Sequence, residues 1–398
     1  MKRGKASRFK EVRLTVAAAC VYYLGSYLYT YKADSEKTGS VTQALDIPAV
    51  HDITILPRAG DGSATKRLVF GTVDARGVST ACIYFDPPHV IQYMATEFET
   101  PTQMCLVSMQ NAIIRPSGLV YRQQKSIYHR LTLGKWYFKK DKMFGKVSKV
   151  RPLTKYNSYI SFVHIWQDVF SHITFDTIPR VQLLCSFIQQ QRNVGILLTG
   201  ELQEELFLES CKVETERFHH VSEELSAKNI SVSVFPGNFG MGILPRQSVI
   251  SLGPQTKSGT KIVYVQRLSG KRSVVNEHEV LAVLRGLYRN KLEIYAPTDN
   301  WKLDRNVFAD ARVIIGPHGG AFGNMIFAPI NTTIVEFLPL LRLREAGLNA
   351  RPCYFGQAHG LGFTYHAFEI ENFDFELPMT VPLNELHLFL TEYIPPAV

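Results

Sequence analysis

Between Ile262 and Phe337 short apolar runs alternate with stretches of helical periodicity, and this alternation constrains the fold more than any other feature of the chain. Ile262-Val-Tyr-Val-Gln266, Leu292-Glu-Ile-Tyr295, Val313-Ile-Ile315 and Thr333-Ile-Val-Glu-Phe337 read as strands. Asn276 to Arg289 reads as a helix, because Val280, Leu284, Leu287 and Tyr288 share one face and Asn276 and Glu279 have capping-box spacing. A short helix is expected at Asn306–Ala309, and Gly320–Phe327 begins another. Strands this apolar need cover on both faces, which points to a parallel sheet between helices.

A second unit of the same kind lies upstream. Ser79–Phe85 is strand-like, Ile178–Gln190 is apolar at helical spacing, and Val194–Gly200 and Glu201–Glu209 read as a buried strand followed by a helix. The Gly/Pro-rich passage Phe235–Pro245 separates the two units as a linker. The expected fold is therefore α/β, with two Rossmann-like domains facing a cleft, at 69–245 and 246–398, the second closing on a C-terminal helix.

The N-terminus differs from both units. Lys2, Arg3, Lys5, Arg8, Lys10 and Arg13 against Glu11 account for +5 of the chain's net charge of +9. The remaining +4 is too diffuse for a nucleic-acid binder, and no nucleic-acid partner is expected. Leu14–Tyr31 carries no charge and ends in tyrosines, as a membrane-spanning signal-anchor would. The predicted layout is a cytoplasmic tail (1–13), a transmembrane helix (14–31), a stem (32–68) and a lumenal body; a cleaved signal peptide is the rival reading. The sequons at Asn229 and Asn331 agree with a lumenal body. Outside the anchor, Cys82, Cys105, Cys185, Cys211 and Cys353 allow at most two disulfides within one body.

In open parallel sheets ligands bind beyond the carboxyl ends of the strands. His318 stands there, after the run Val313–Ile315, among Gly316, Gly319 and Gly320, where a ligand can approach backbone N–H groups and a helix start favours negative charge. Arg267, Lys271 and Arg272 follow the neighbouring strand, and a guanidinium fork suits a diphosphate. Glu336, near the end of its strand, could accept hydrogen bonds from ribose hydroxyls.

Three segments taken together carry a resemblance: Val265–Glu277, Ala309–Pro329 and Thr333–Phe337 look like the catalytic domain of glycosyltransferase family 61, and Phe170–Val181 is similar to an upstream motif of that family. Relatives include xylan arabinosyl- and xylosyltransferases and enzymes that transfer N-acetylglucosamine to glycoproteins. The resemblance implies a GT-B-type fold, an inverting mechanism, a nucleotide-sugar donor (usually UDP-linked) and a glycan or glycoprotein acceptor. It places Arg267, Arg272, Gly316, His318, Gly319 and Gly320 at the diphosphate and Asn324 and Glu336 at the nucleotide. The chain departs from its relatives at Gln266, where serine is usual, and in the order of the glycine turn. No Asp-x-Asp pair occurs, so neither a metal nor another cofactor is expected. An inverting transfer needs a base; Asp176 or His172, four apart on one helix face, is expected to serve, with Asp176 ahead of His172. The expected location is the Golgi membrane, with the endoplasmic reticulum as the alternative. A catalytically inactive glycan-binding or scaffold protein on the same fold is the competing function.

Overall fold

The computed structural model describes strands at 52–55, 66–70, 78–84, 90–93 and 96–99, and residues 103–121, 150–163, 169–234, 243–244, 246, 248–254, 258–268, 270–298, 300–341, 353–372 and 377–396. The expected anchor at 14–31 and most of the Gly/Pro passage lie outside these residues. No described helix is long and apolar enough to cross a membrane. From Ser79 onward the chain belongs to one compact unit.

The N-terminal half builds one sheet from β1 (Asp52–Ile55), β2 (Lys66–Phe70), β3 (Val78–Tyr84), β6 (Gln103–Ile114), β7 (Val120–Tyr121), β8 (Val150–Pro152), β9 (Ser158–Ser161), β10 (Val194–Leu198), β11 (Phe218–His220) and β12 (Glu224–Val234), while β4 (Val90–Tyr93) and β5 (Thr96–Glu99) pair separately. Its order is β1-β2-β3-β6-β12-β9-β10-β11, with β7 beside β6 and β8 beside β12. The block β12-β9-β10-β11 is parallel, as a Rossmann-like unit requires, and β8 pairs parallel with β12 as well; β12 pairs antiparallel with β6. β1 and the start of β2 fall in the stretch read as a stem and are paired to each other.

The C-terminal half is a five-stranded parallel sheet of β13 (Lys261–Val265), β14 (Leu292–Tyr295), β15 (Ala311–Pro317), β16 (Thr333–Leu341) and β17 (Thr364–Asn372), ordered β14-β13-β15-β16-β17. The chain first steps from β13 outward to β14, then crosses back to β15. That reversal puts the topological switch point between the carboxyl ends of β13 and β15, where ligands of such sheets bind.

Eight helical segments connect these strands: α1 (Phe170–His172), a π turn (Ile173–Thr177), α2 (Ile178–Gln190), α3 (Glu201–Ser210), α4 (Glu277–Tyr288), α5 (Trp301–Phe308), α6 (Cys353–Leu361) and α7 (Leu383–Tyr393), among the described residues and apart from short 3₁₀ turns. Side chains alternate along β13. Ile262 and Tyr264 join a core with Val280, Leu284, Leu386 and Leu390 from α4 and α7. Val263 and Val265 face Phe308, Phe322, Tyr354 and Ala358 on the other side. Each such aliphatic or aromatic side chain contributes about 1.5–3 kcal/mol when fully buried. The second of these cores continues into α2 and β10 of the N-terminal half, so one apolar cluster ties the two halves together.

Two local expectations are corrected. Asn276 makes no side-chain cap on α4; its amide instead exchanges two bonds with the Val381 backbone, at 2.8 and 2.9 Å. The short helix expected at Asn306–Ala309 starts earlier, at Trp301, because Asn300 accepts from the N–H groups of Lys302 and Leu303. The cysteines divide as the count allowed: Cys185–Cys211 is a disulfide joining α2 to the end of α3, Cys105 is also disulfide-bonded, and Cys353 is a buried thiol outside any disulfide.

Candidate active site

The helical run from Phe170 to Gln190 is broken by its own sequence. Pro179 has no N–H to give to the fourth carbonyl before it, and the preceding turn widens so that Ile178 N–H bonds to Ile173 O. In that π turn Asp176 is 3% exposed, and its Oδ2 meets His172 Nδ1 at 2.8 Å. Burial pushes the Asp176 carboxyl above its ordinary range; His172 and Arg180 pull against that without reversing it. His172 is the more accessible partner, with 15% of its side chain exposed against 2% for Asp176.

The second cluster lies at the switch point. Glu336, fully buried in β16, meets His318 Nδ1 with Oε1 and accepts from the Tyr365 hydroxyl with Oε2 at 2.5 Å. The His318 ring packs edge-on against Tyr354, with centroids 4.9 Å apart. Burial holds the Tyr354 phenol well above its ordinary pKa, so it stays neutral. From the end of β13, Arg267 reaches across and donates Nη1–H to the His318 carbonyl at 3.3 Å. This explains Gly319: a Cβ there would stand 2.4 Å from Arg267 Nη1, so only glycine lets the guanidinium lie across the turn. Gly316 permits a similar closeness, since its Cβ would meet Val265 O at 2.6 Å.

Arg272 holds left-handed backbone, φ 62°, with its N–H on Leu377 O. Such a conformation costs a non-glycine residue on the order of 1 kcal/mol or more, and it fixes the loop that carries both arginines. Gln266 ties that loop to the start of α4, its amide donating to Glu277 at 3.0 Å. The segment after the glycine turn is a 3₁₀ helix, Gly320–Phe327, rather than the expected α-helix start. Asn324, within it, donates to the Tyr295 hydroxyl at 3.3 Å, while its buried Oδ1 has no hydrogen-bond partner.

The two clusters meet where α1 and the π turn pack on the glycine turn and α6. Gly323 lies against Ser171 and Thr174, Gly320 faces Ser171 Oγ, and Phe175 packs edge-on against Tyr354. The structure thus brings His172 with Asp176, His318 with Glu336, and Arg267 onto the glycine turn. Sequence reasoning missed Ser171, Tyr354 and Tyr365. Nothing in their spacing marks them, because the sheet crossovers alone bring them to the histidine.

The sequons separate clearly. Asn331 is exposed in a turn before β16. Asn229 is 2% exposed inside β12, its Nδ2 donating to Asn157 O and Ser158 Oγ. A glycan on Asn229 has no room in this fold, and that expectation is corrected. Among the described residues no group of three or more His, Cys, Asp or Glu side chains is placed to hold a metal ion.

Residues 170–335 match the family model described as Glycosyltransferase 61. No curated protein matches the chain.

Proposed function

Because the chain belongs to glycosyltransferase family 61 through residues 170–335, and so acts between a sugar donor and an acceptor, we propose that it transfers a sugar from a nucleotide donor, UDP-linked, to a glycan or glycoprotein with inversion and without a metal. The observation that carries this reading is the convergence of Arg267 and His318 at the switch point of a parallel sheet, across a glycine turn whose bare backbone leaves room for the guanidinium. A diphosphate placed there meets a guanidinium, an imidazole and backbone N–H groups. These are preorganised donors that stabilise charge as it develops on a leaving group. Arg272, on the same loop, adds a second cation. Asn324 supports the nucleotide end, since its unpartnered buried Oδ1 is the kind of acceptor a ligand N–H completes.

On the acceptor side, the acceptor hydroxyl oxygen attacks the anomeric carbon from the face opposite the diphosphate. The new C–O bond forms as the old one breaks, and the electron pair of the broken bond leaves with the diphosphate. His172 takes the hydroxyl proton, and Asp176, bonded to its Nδ1, orients the ring and stabilises the imidazolium. This reverses the order read from sequence, because Asp176 is too enclosed to reach an acceptor while His172 keeps an exposed edge. The uncharged Leu14–Tyr31 run supports a type II anchor, a lumenal body in the Golgi and a glycan at Asn331.

The test is thermal unfolding of the purified full chain with UDP and a panel of UDP-sugars. A ligand at 100 times its Kd that binds only the folded form adds about 2.7 kcal/mol, and the midpoint rises accordingly. His318→Ala is expected to remove that rise while remaining folded. No rise with any nucleotide would refute the reading and favour an inactive scaffold. Transfer is expected to survive EDTA, and a strict Mn²⁺ requirement would overturn the metal-independent handling of the diphosphate.

A further inference from the structure

We infer that Glu336 is a positioning residue that acts on the donor only through His318, and that it makes no contact with the ribose. The inference rests on the donor site proposed above and assigns the task of its one fully buried carboxylate.

Glu336 is 0% exposed, and both of its oxygens are engaged within the protein, Oε1 by His318 Nδ1 and Oε2 by Tyr365 O–H. A ribose hydroxyl approaching it would have to displace one of these bonds from a site closed to water, leaving a buried donor unpaired. The same geometry defines what the carboxylate does. Bound at Nδ1, it fixes the ring orientation and directs the other nitrogen, Nε2, to ligand chemistry. Tyr365 holds the carboxylate from β17, and Tyr354 holds the ring from α6, so neighbouring strand and helix both support the pair.

Glu336 from β16, Tyr354 from α6 and Arg267 from the loop after β13 all approach His318, Tyr365 from β17 backs the carboxylate, and Arg272 and Cys353 lie beside Tyr354. Burial holds Tyr354 neutral, and Glu336 is the carboxylate among these groups.

The experiment is a double-mutant cycle on the full chain with UDP as the probe, using Glu336→Gln, His318→Asn and the pair, each checked for an unfolding midpoint near that of the wild type. Glu336→Gln is expected to weaken UDP binding about tenfold or more. In the His318→Asn background the same change is expected to cost little further, because a group that acts through another loses its effect when that other is gone. Tyr365→Phe is expected to show a smaller loss with the same dependence on His318. With 2′-deoxy-UDP, the ratio to UDP is expected to be equal in wild type and Glu336→Gln. Additive losses, or a ratio that collapses in Glu336→Gln, would each overturn the inference and restore a direct nucleotide contact. A wild-type chain that binds neither nucleotide would instead refute the donor site itself, and this inference with it.

Discussion

Gly323→Ala tests the contact on which the candidate active site depends. The new Cβ would lie 2.7 Å from Ser171 Cα, 2.8 Å from Thr174 Oγ1 and 3.0 Å from Ser171 Cβ. The nearest of these atoms is backbone, and the Thr174 hydroxyl is already committed to Ser171 O at 3.0 Å, so no side chain can swing aside. To open the 2.7 Å approach to the 3.4 Å of ordinary contact, the 3₁₀ helix and α1 must part by about 0.7 Å. Overpacking of this kind costs about 1–3 kcal/mol, whereas alanine gains only about 0.5–1 kcal/mol over glycine in helical backbone. The expected net loss is roughly 1–2 kcal/mol, read as a lower urea midpoint at unchanged slope. Two controls bracket it. Gly320→Ala, whose Cβ would stand 3.6 Å from Ser171 Oγ, is expected to be close to neutral. Gly286→Ala, on the exposed face of α4 with nothing within 4 Å, is expected to gain about 0.5–1 kcal/mol. A Gly323→Ala chain as stable as wild type, with Gly286→Ala behaving as stated, would refute the packing of α1 on the glycine turn.

Two further predictions concern the helical run itself. Asp176→Asn is expected to abolish transfer while leaving UDP binding intact, and to stabilise the fold at neutral pH. Burial raises the Asp176 pKa in the folded state, so the native chain holds this proton more tightly than the unfolded one. Wild-type stability therefore falls as pH rises from the ordinary carboxylate value near 3.8 through the raised one, and the asparagine variant escapes that fall. Denaturation series across acid to neutral pH check it, and a gap that shrinks as pH rises would contradict the sign. Replacing Cys185 and Cys211 by serine, a pair separated by 26 residues, is expected to cost about 3–4 kcal/mol by loop entropy; a loss under 1 kcal/mol would show that α2 and α3 need no staple.

The C-terminal sheet was legible in the sequence because its strands are buried on both faces, so Ile262, Val263 and Tyr264 follow one another without a polar interruption. Much of the N-terminal sheet was not. β6 and β12 bury Ser108 and Ser231, whose hydroxyls bond each other at 2.6 Å across the strand pair, and Asn229 donates its amide to Ser158 of β9. A polar residue whose partner lies more than a hundred positions away reads in sequence as a solvent-facing break. The same limit applied at the site. His318, the glycine turn and the arginines share local segments and were visible, as were His172 and Asp176 at helical spacing. That Glu336 would turn inward was invisible, because its burial depends on Tyr365 arriving from a strand 29 residues later.

The two histidine–carboxylate pairs are built alike, and in the proposed reaction they serve opposite ends. In each, Nδ1 is bonded to a carboxylate that is almost wholly buried, and the carboxylate is closed off by the surrounding fold. One pair must gain a proton as the acceptor attacks, and the other must meet negative charge as the diphosphate leaves. Placing both in a single open site would let each neutralise the other's charge. Here aromatic rings run between them: Phe175 packs on His172 and on Tyr354, and Tyr354 packs on His318 and Phe322. That aromatic layer keeps the local dielectric low beside both pairs, which strengthens each histidine–carboxylate interaction. Opening it to water, as the strained Gly323→Ala contact would begin to do, should therefore weaken donor binding and transfer together, although the substituted glycine touches neither histidine.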